Sequence, residues 1–203
     1  MLYAIVIGLI LGLALGGRPG RLATLHFDWA WVAIAGLGAQ VVLFSAPVTA
    51  IVGDLGPPLY VASTLVVLAV VIRNVPNMRG LAIVALGAAS NLAAIIANGG
   101  YMPATPDALA AAERGATVGY SNSIELAHPA LEPLVDRFTL PAAFPWANVF
   151  SVGDVLIGVG IVAVMIVAMR RGSPDHARPV DNGGTPPPSV SDPTDPPRDG
   201  PAT

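Results

Sequence analysis

The sequence predicts an all-α integral membrane protein, a bundle of five transmembrane helices with its N-terminus outside and its C-terminus in the cytoplasm. Composition is the first reason, because 54% of the residues are apolar and only 11% are charged, whereas about a quarter are charged in soluble domains. The second is the presence of five long apolar stretches. The third is that every second segment between them carries arginine.

Each of the five apolar stretches has roughly the 17 to 25 residues that cross about 30 Å of hydrocarbon. They are residues 2–17, 29–49, 56–72, 80–98 and 148–169. The first stretch could also be a signal peptide, but it lacks a charged start and a good small-residue cleavage site before the arginines. We therefore predict a retained first span.

The arginines predict the orientation, because short loops that carry them stay in the cytoplasm. They follow spans one, three and five, at Arg18, Arg21, Arg73, Arg79, Arg170 and Arg171. The alternate segments are neutral or acidic, with Asp54, Asp107, Glu113, Glu125, Glu132 and Asp136. We expect a multi-pass protein of the cytoplasmic membrane.

The chain divides into a transmembrane domain, residues 1–171, and a tail, residues 172–203. The tail is rich in Pro, Asp, Ser and Gly, so we predict that it is disordered and cytoplasmic. Its "TPPPSV" stretch could sample a polyproline II helix and dock in an aromatic groove, although such tails are more often solvated ends.

Residues 99–147 form one long outer loop, which we predict to be structured and to fold back on the membrane. "TPDALAAAER" begins with Thr105 as an N-cap and Pro106 at the first helical position, which predicts a short helix. "HPALEPLVDRF" is a second amphipathic candidate. "TLPAAFPWANVF" and the tryptophans Trp29, Trp31 and Trp146 are typical of the membrane interface.

Polar residues end the fourth span. Asn91 and Asn98 are seven residues apart, so they lie on nearly the same helix face and predict hydrogen bonds to another helix. Asn98, Gly99 and Gly100 form a helix stop, in which Gly99 takes a left-handed conformation and Pro103 prevents the helix from resuming. Such a stop satisfies the last carbonyls at the outer interface.

Another polar cluster opens the fifth span, at "NVFSVGDV", residues 148–155. Ser151 and Asp154 have the spacing of a capping box. If the span begins at Asn148, however, Asp154 lies a turn below the surface, where a carboxylate is costly and usually faces a cavity or a partner. The sequence leaves both interpretations of Asp154 open.

The ends of spans four and five should lie at similar depth, and we predict that they form one pocket. The candidate ligand-binding residues are Asn91, Asn98, Gly99, Gly100, Met102, Pro103, His128, Asn148, Ser151 and Asp154. A helix N-terminus favours an anion, whereas Asp154 favours a cation or a hydrogen-bond donor, so the sign of the ligand stays open. His128 could act with Asp154 as a general base, but a lone loop histidine is more often simply exposed.

Span one carries Gly8, Gly12 and Gly16, a repeated G-x-x-x-G pattern that lets helix backbones approach closely. It could serve packing within the chain or a homo-oligomer. The chain has no cysteine, which excludes disulfides, zinc thiolate sites, iron–sulfur clusters and a cysteine nucleophile. We predict no cofactor, no metal and no nucleic-acid partner; the expected partners are membrane lipids.

Two stretches, "NLAAIIANGGYMPATPDAL" and "LPAAFPWANVFSVGDVLIGVGI", resemble the bacterial membrane-protein family catalogued as domain of unknown function 5317. The run Asn98, Gly99, Gly100, Met102 and Pro103 matches that family's pattern, as does the run Ser151, Gly153 and Asp154. The resemblance covers most of residues 1–170. It implies a bacterial multi-pass membrane protein, and it implies no activity.

We therefore expect a membrane protein that binds a lipid, a small polar ligand or a protein partner at the outer ends of spans four and five. The alternatives are a membrane enzyme that acts on a lipid-linked substrate, using Asp154 with His128 or an acid of the outer loop, and a small oligomeric transporter.

Overall fold

The computed structural model describes residues 2–111, 123–126, 128–140 and 148–171, which are mostly helical. The helices are α1 (Leu2–Ala14), α2 (Ala30–Leu43), α3 (Ala46–Val52), α4 (Gly56–Asn74), α5 (Leu81–Ala97), α6 (Pro106–Ala111) and α7 (Val152–Arg170). The predictions for the tail, for Glu113 and for Trp146 lie outside the described residues.

Two helical stretches are long and apolar enough to cross a membrane. One is Ala46–Asn74, with 29 residues, and the other is Val152–Arg170, with 19 residues. Three further apolar helices, α1, α2 and α5, are shorter. The structure therefore confirms a mostly helical chain with two candidate spanning helices, and the count of five spans stays a prediction.

The predicted second span, residues 29–49, is interrupted. Helix α2 ends at Leu43, and α3 begins at Ala46 with Pro47 in its first turn. Proline has no N–H to donate and its ring clashes with the preceding turn, so a helix cannot run through it undisturbed. Helix α3 then joins α4 through a 3-10 turn, Gly53–Leu55, and Asp54 lies in that turn.

Helix α7 packs between α1 and α5, while α4 packs against both α2 and α5. The largest buried cluster joins Val71, Met78, Leu81 and Val84 to Ile157 and Ile161 of α7. Gly8 and Gly12 are buried against Met165 and Met169 of α7. Gly8 and Gly12 thus serve packing within the chain, whereas Gly16 lies after the end of α1, where an added Cβ would meet no atom of the described chain within 4 Å. A homo-oligomer through this pattern stays an untested prediction.

The segment after α5 forms two short ribbons. Strand β1 (Met102–Ala104) pairs in parallel with β2 (Ser123–Glu125), and β3 (Phe138–Leu140) pairs antiparallel with β4 (Asn148–Phe150). In register, Pro103 lies opposite Ile124 and Thr139 opposite Val149. Because Asn148 belongs to β4, the last long helix begins at Val152 rather than at residue 148.

One of the two helices predicted in this segment is present. Helix α6 begins after Thr105, whose Oγ1 accepts from the amide of Ala108 at 3.3 Å. The second prediction, in "HPALEPLVDRF", was wrong. Only a 3-10 turn forms there, Glu132–Leu134, because Leu131 has a φ of 55° and Pro133 comes two residues later.

Charges are segregated between the two ends of the bundle. The end that we call the arginine end carries Arg18, Arg21, Arg73, Arg79, Arg170 and Arg171, and Asp28 is its one described acid. Hydrogen bonds to backbone carbonyls join the segments at this end. The amide of Arg18 donates to Met169 O at 2.9 Å, and the guanidinium of Arg171 donates to Asn77 O at 3.4 Å.

The opposite end, which we call the acidic end, carries Asp54, Asp107, Glu125, Glu132, Asp136 and Asp154 among its described residues, with Arg137 as their one described arginine. Helix α4 begins at this end, where Pro57 lies against Gly100. The arginine-rich and the acidic segments alternate along the chain, as predicted, and they lie at opposite ends of the bundle.

Candidate functional site

Three polar side chains meet where α5 crosses the start of α7. The Nδ2 of Asn91 donates to Oδ1 of Asp154 at 3.1 Å, and the hydroxyl of Ser151 lies 2.8 Å from Oδ1 of Asn91 and 3.0 Å from Oδ2 of Asp154. Ser151 is completely buried, and the other two side chains are partly buried. Their hydrogen bonds close a network that joins the two helices.

Ser151 and Asp154 form the capping box that their spacing predicts. The amide of Asp154 donates to Ser151 Oγ at 3.1 Å, and the amide of Ser151 donates to Asp154 Oδ2 at 3.0 Å. Two of the amides at the start of α7, those of Ser151 and Asp154, are thereby satisfied. Of the two interpretations left open for Asp154, the structure confirms the cap.

The crossing of α5 and α7 is unusually close because it is built on glycine. A Cβ added at Gly153 would collide with Oδ1 of Asn91 and lie 2.7 Å from the carbonyl oxygen of Gly87. A Cβ at Gly87 would in turn collide with the carbonyl oxygen of Gly153. These two glycines bring Asn91 within hydrogen-bonding distance of the capping box.

The "NGG" stop ends α5 as predicted. The Nδ2 of Asn98 donates to Ala94 O at 2.8 Å, and Gly99 and Gly100 take φ angles of 73° and 91°. Asn98 also binds both the amide and the carbonyl of Ala130, at 2.8 and 2.9 Å, and so fixes the loop to the helix end. Met102 and Pro103 follow and are buried.

Asp136 is a residue that the sequence did not single out as a site. It is 6% exposed, and its Oδ1 has no hydrogen-bond partner within the described chain. Burial, and after it the negative charge of Asp154, raises the pKa of Asp136 from 3.8 to about 7. Its backbone pairs with that of Pro103 and Thr105, which are distant enough in the chain that the sequence shows no sign of its burial.

His128 and Asn148 lie apart from the polar crossing. His128 is exposed, and no hydrogen bond or ion pair joins it to Asp154 in the described part of the chain. Asn148 is exposed at the start of β4, opposite Leu140. The structure therefore brings together Asn91, Ser151 and Asp154 and places Asn98 at the C-terminal end of α5, about two turns beyond Asn91.

An open groove lies on the other side of Asp154, between the first turns of α1 and α7. Its volume is about 660 Å³, and most of its surface is apolar. Leu2, Ile7, Val155 and Val159 contribute apolar side chains, while Asn148 and Asp154 are polar. The sequence predicts a pocket between the ends of spans four and five, and that stays a prediction. The groove described here lies on the α1 side of Asp154.

The fold and the site define a small helical protein with candidate membrane-spanning helices and a closed polar crossing near one end. The chain belongs to the family of unknown function DUF5317, whose profile matches residues 24–166. This confirms the family that the two quoted stretches resemble. No curated protein and no solved structure matches the chain.

Proposed function

We propose that the chain is a multi-pass membrane protein that binds a phospholipid with a primary amine headgroup in the groove between α1 and α7. The five apolar helices of the bundle would be its spans, with the arginine end in the cytoplasm and the acidic end outside. Segregated charge supports this orientation, because arginine-rich short loops are retained in the cytoplasm.

Exposed apolar faces support membrane insertion. Large side chains such as Ile34, Val41, Ile51 and Leu86 are 61% to 83% exposed. Faces of this kind on several helices are costly in water and typical of a surface that contacts lipid. The polar groups of the crossing instead form hydrogen bonds with one another, as polar groups within a membrane must. They belong to Asn91, Ser151 and Asp154.

The observation that carries the proposal is the composition of the groove. Its apolar side chains suit an acyl chain, and Asp154 supplies a negative charge that no arginine pairs with among the described residues. A carboxylate has about four lone-pair sites. Asn91 Nδ2 donates to Oδ1 of Asp154 and the Ser151 amide donates to Oδ2. The single hydroxyl proton of Ser151 goes either to Oδ2 or to Asn91 Oδ1, so Oδ1 of Asp154 is able to accept one more donor.

A donor is favoured over an anion at this place. The capping box already uses the amides of Ser151 and Asp154, and the Asp154 carboxylate at the helix start repels a second negative charge. An ammonium headgroup, as in phosphatidylethanolamine, has N–H donors and positive charge. The trimethylated headgroup of phosphatidylcholine has the same charge but no N–H donor.

Native mass spectrometry in mild detergent tests the proposal, with phosphatidylethanolamine and phosphatidylcholine compared at equal concentration. We expect a discrete ethanolamine-lipid adduct on the wild type. Val159→Trp, which fills the groove, should remove it, while Val41→Trp, on an exposed face of α2, should leave it. Asp154→Asn should bring the two lipids to equal binding. Equal binding of both lipids to the wild type would overturn the proposed headgroup, and an unchanged adduct on Val159→Trp would overturn the groove.

A further inference from the structure

A second groove lies at the arginine end, between the turn that joins α4 to α5 and the last turns of α7. Its volume is about 520 Å³. Arg79 and Arg171 line it together with apolar side chains that include Leu25, Met78, Val164 and Val167. It therefore combines two guanidinium groups with an apolar wall, at the end of the bundle opposite the polar crossing.

The positive charge of this groove is uncompensated within the described chain. No acid lines it, and neither Arg79 nor Arg171 forms an ion pair with a described carboxylate. Among the described residues, the guanidinium of Arg171 donates only two long bonds, both of 3.4 Å, to Asn77 O. The start of α5 and the end of α7 meet here with opposite partial charges, so the net charge comes from the arginines.

We propose that this groove binds the headgroup of an anionic phospholipid, with the phosphate at Arg79 and Arg171 and an acyl chain along Val164 and Val167. The inference rests on the membrane insertion in the proposed function, and it is independent of the other groove. Arginine suits this ligand because its planar fork matches two phosphate oxygens. Val167 is 51% exposed and so presents its side chain to the lipid.

Charge complementarity selects the anionic lipid over a zwitterionic one. Phosphatidylglycerol has a net negative charge, whereas the charges of phosphatidylcholine cancel. Each arginine near an anionic lipid surface contributes about 1 kcal/mol, so removal of both should weaken binding about thirty-fold.

The experiment compares binding of phosphatidylglycerol and phosphatidylcholine to the full chain in mild detergent, by titration in native mass spectrometry. The test variant is Arg79→Gln with Arg171→Gln. The matched control is Arg18→Gln with Arg170→Gln, which removes the same charge from the same end but outside the groove. We expect about thirty-fold weaker phosphatidylglycerol binding in the test variant and a change below threefold in the control.

A second pair of variants keeps the charge and fills one groove each. Val167→Trp should weaken phosphatidylglycerol binding and leave the ethanolamine-lipid adduct, while Val159→Trp should do the reverse. Each variant therefore tests one groove, and a negative result for one proposal leaves the other standing. Equal loss in the test and control arginine variants would overturn the site in favour of diffuse attraction. Glycerol phosphate binding as tightly as the intact lipid would overturn a lipid ligand in favour of a free phosphate.

Discussion

Asn91 of α5 donates from Nδ2 to Oδ1 of Asp154 in α7, over 3.1 Å. The other end of the same amide, Oδ1, lies 2.8 Å from the hydroxyl of Ser151. One asparagine thus joins its helix to both members of the capping box that starts α7. In a membrane this closes a polar cluster whose groups would otherwise lack partners in hydrocarbon.

We expect Asn91→Ala to lower the free energy of unfolding by about 1 to 2 kcal/mol. The substitution removes the two hydrogen bonds of Asn91 to the capping box, while Ser151 and Asp154 keep their hydrogen bonds to each other. Thermal unfolding in detergent would show the loss as a lower midpoint. Asn77→Ala is the control, since Asn77 is exposed and its hydrogen bonds within the described part of the chain all come from its backbone. Equal midpoints for the two variants would contradict the role of Asn91.

Gly153 and Gly158 lie on the same helix and should differ sharply on substitution. Gly153→Ala should cost about 1 to 3 kcal/mol or more, because the added methyl meets the Gly87 carbonyl oxygen at 2.7 Å and collides with Asn91. At Gly158 the nearest atom is Ala4 Cβ at 3.6 Å, which is ordinary contact. Gly158→Ala should therefore leave or slightly raise the unfolding temperature. Equal unfolding temperatures for the two variants would contradict the close approach of α5 and α7 at Gly153.

Asp136 should make the fold less stable as the pH rises. The unfolded chain loses this proton near pH 4, whereas burial holds the pKa in the fold at about 7. Between these values the unfolded state binds fewer protons, so stability falls from about pH 4 to about pH 7 and is flat above. The loss is on the order of a few kcal/mol.

Asp136→Asn removes that titration and keeps the shape of the protonated acid. We expect its unfolding midpoint to match the wild type at about pH 3, below the unfolded pKa, and to exceed it increasingly from pH 5 to pH 8, measured in the same detergent. Glu132→Gln is the control, because Glu132 is exposed. A wild type and an Asp136→Asn variant with the same pH profile would refute the buried, protonated acid.

The orientation can be measured directly because the chain has no cysteine. A cysteine at Glu132, at the acidic end, should react with a membrane-impermeant maleimide in intact bacterial cells whose outer membrane has been made permeable. A cysteine at Thr24, exposed at the arginine end, should react only after the inner membrane is opened. The reverse pattern would invert the proposed topology.

Much of the polar crossing was predictable from local spacing. The capping box needs only Ser151 and Asp154, three residues apart, and the helix stop needs only Asn98, Gly99 and Gly100. Both are contacts within one helix end, so the sequence specifies them. The place of the groove was not predictable, because it depends on α1 packing beside α7.

The sequence by itself determined the apolar helices, their alternating charge and the caps at their ends, because each depends on residues within a turn or two. Only the tertiary structure decided that Asn91 meets Asp154 and that Asp136 is buried beside it. It alone also decided that Arg79 and Arg171 line one groove. These relationships join residues far apart in the chain, and the close approach of helices at Gly87 and Gly153 sets the distance across the polar crossing.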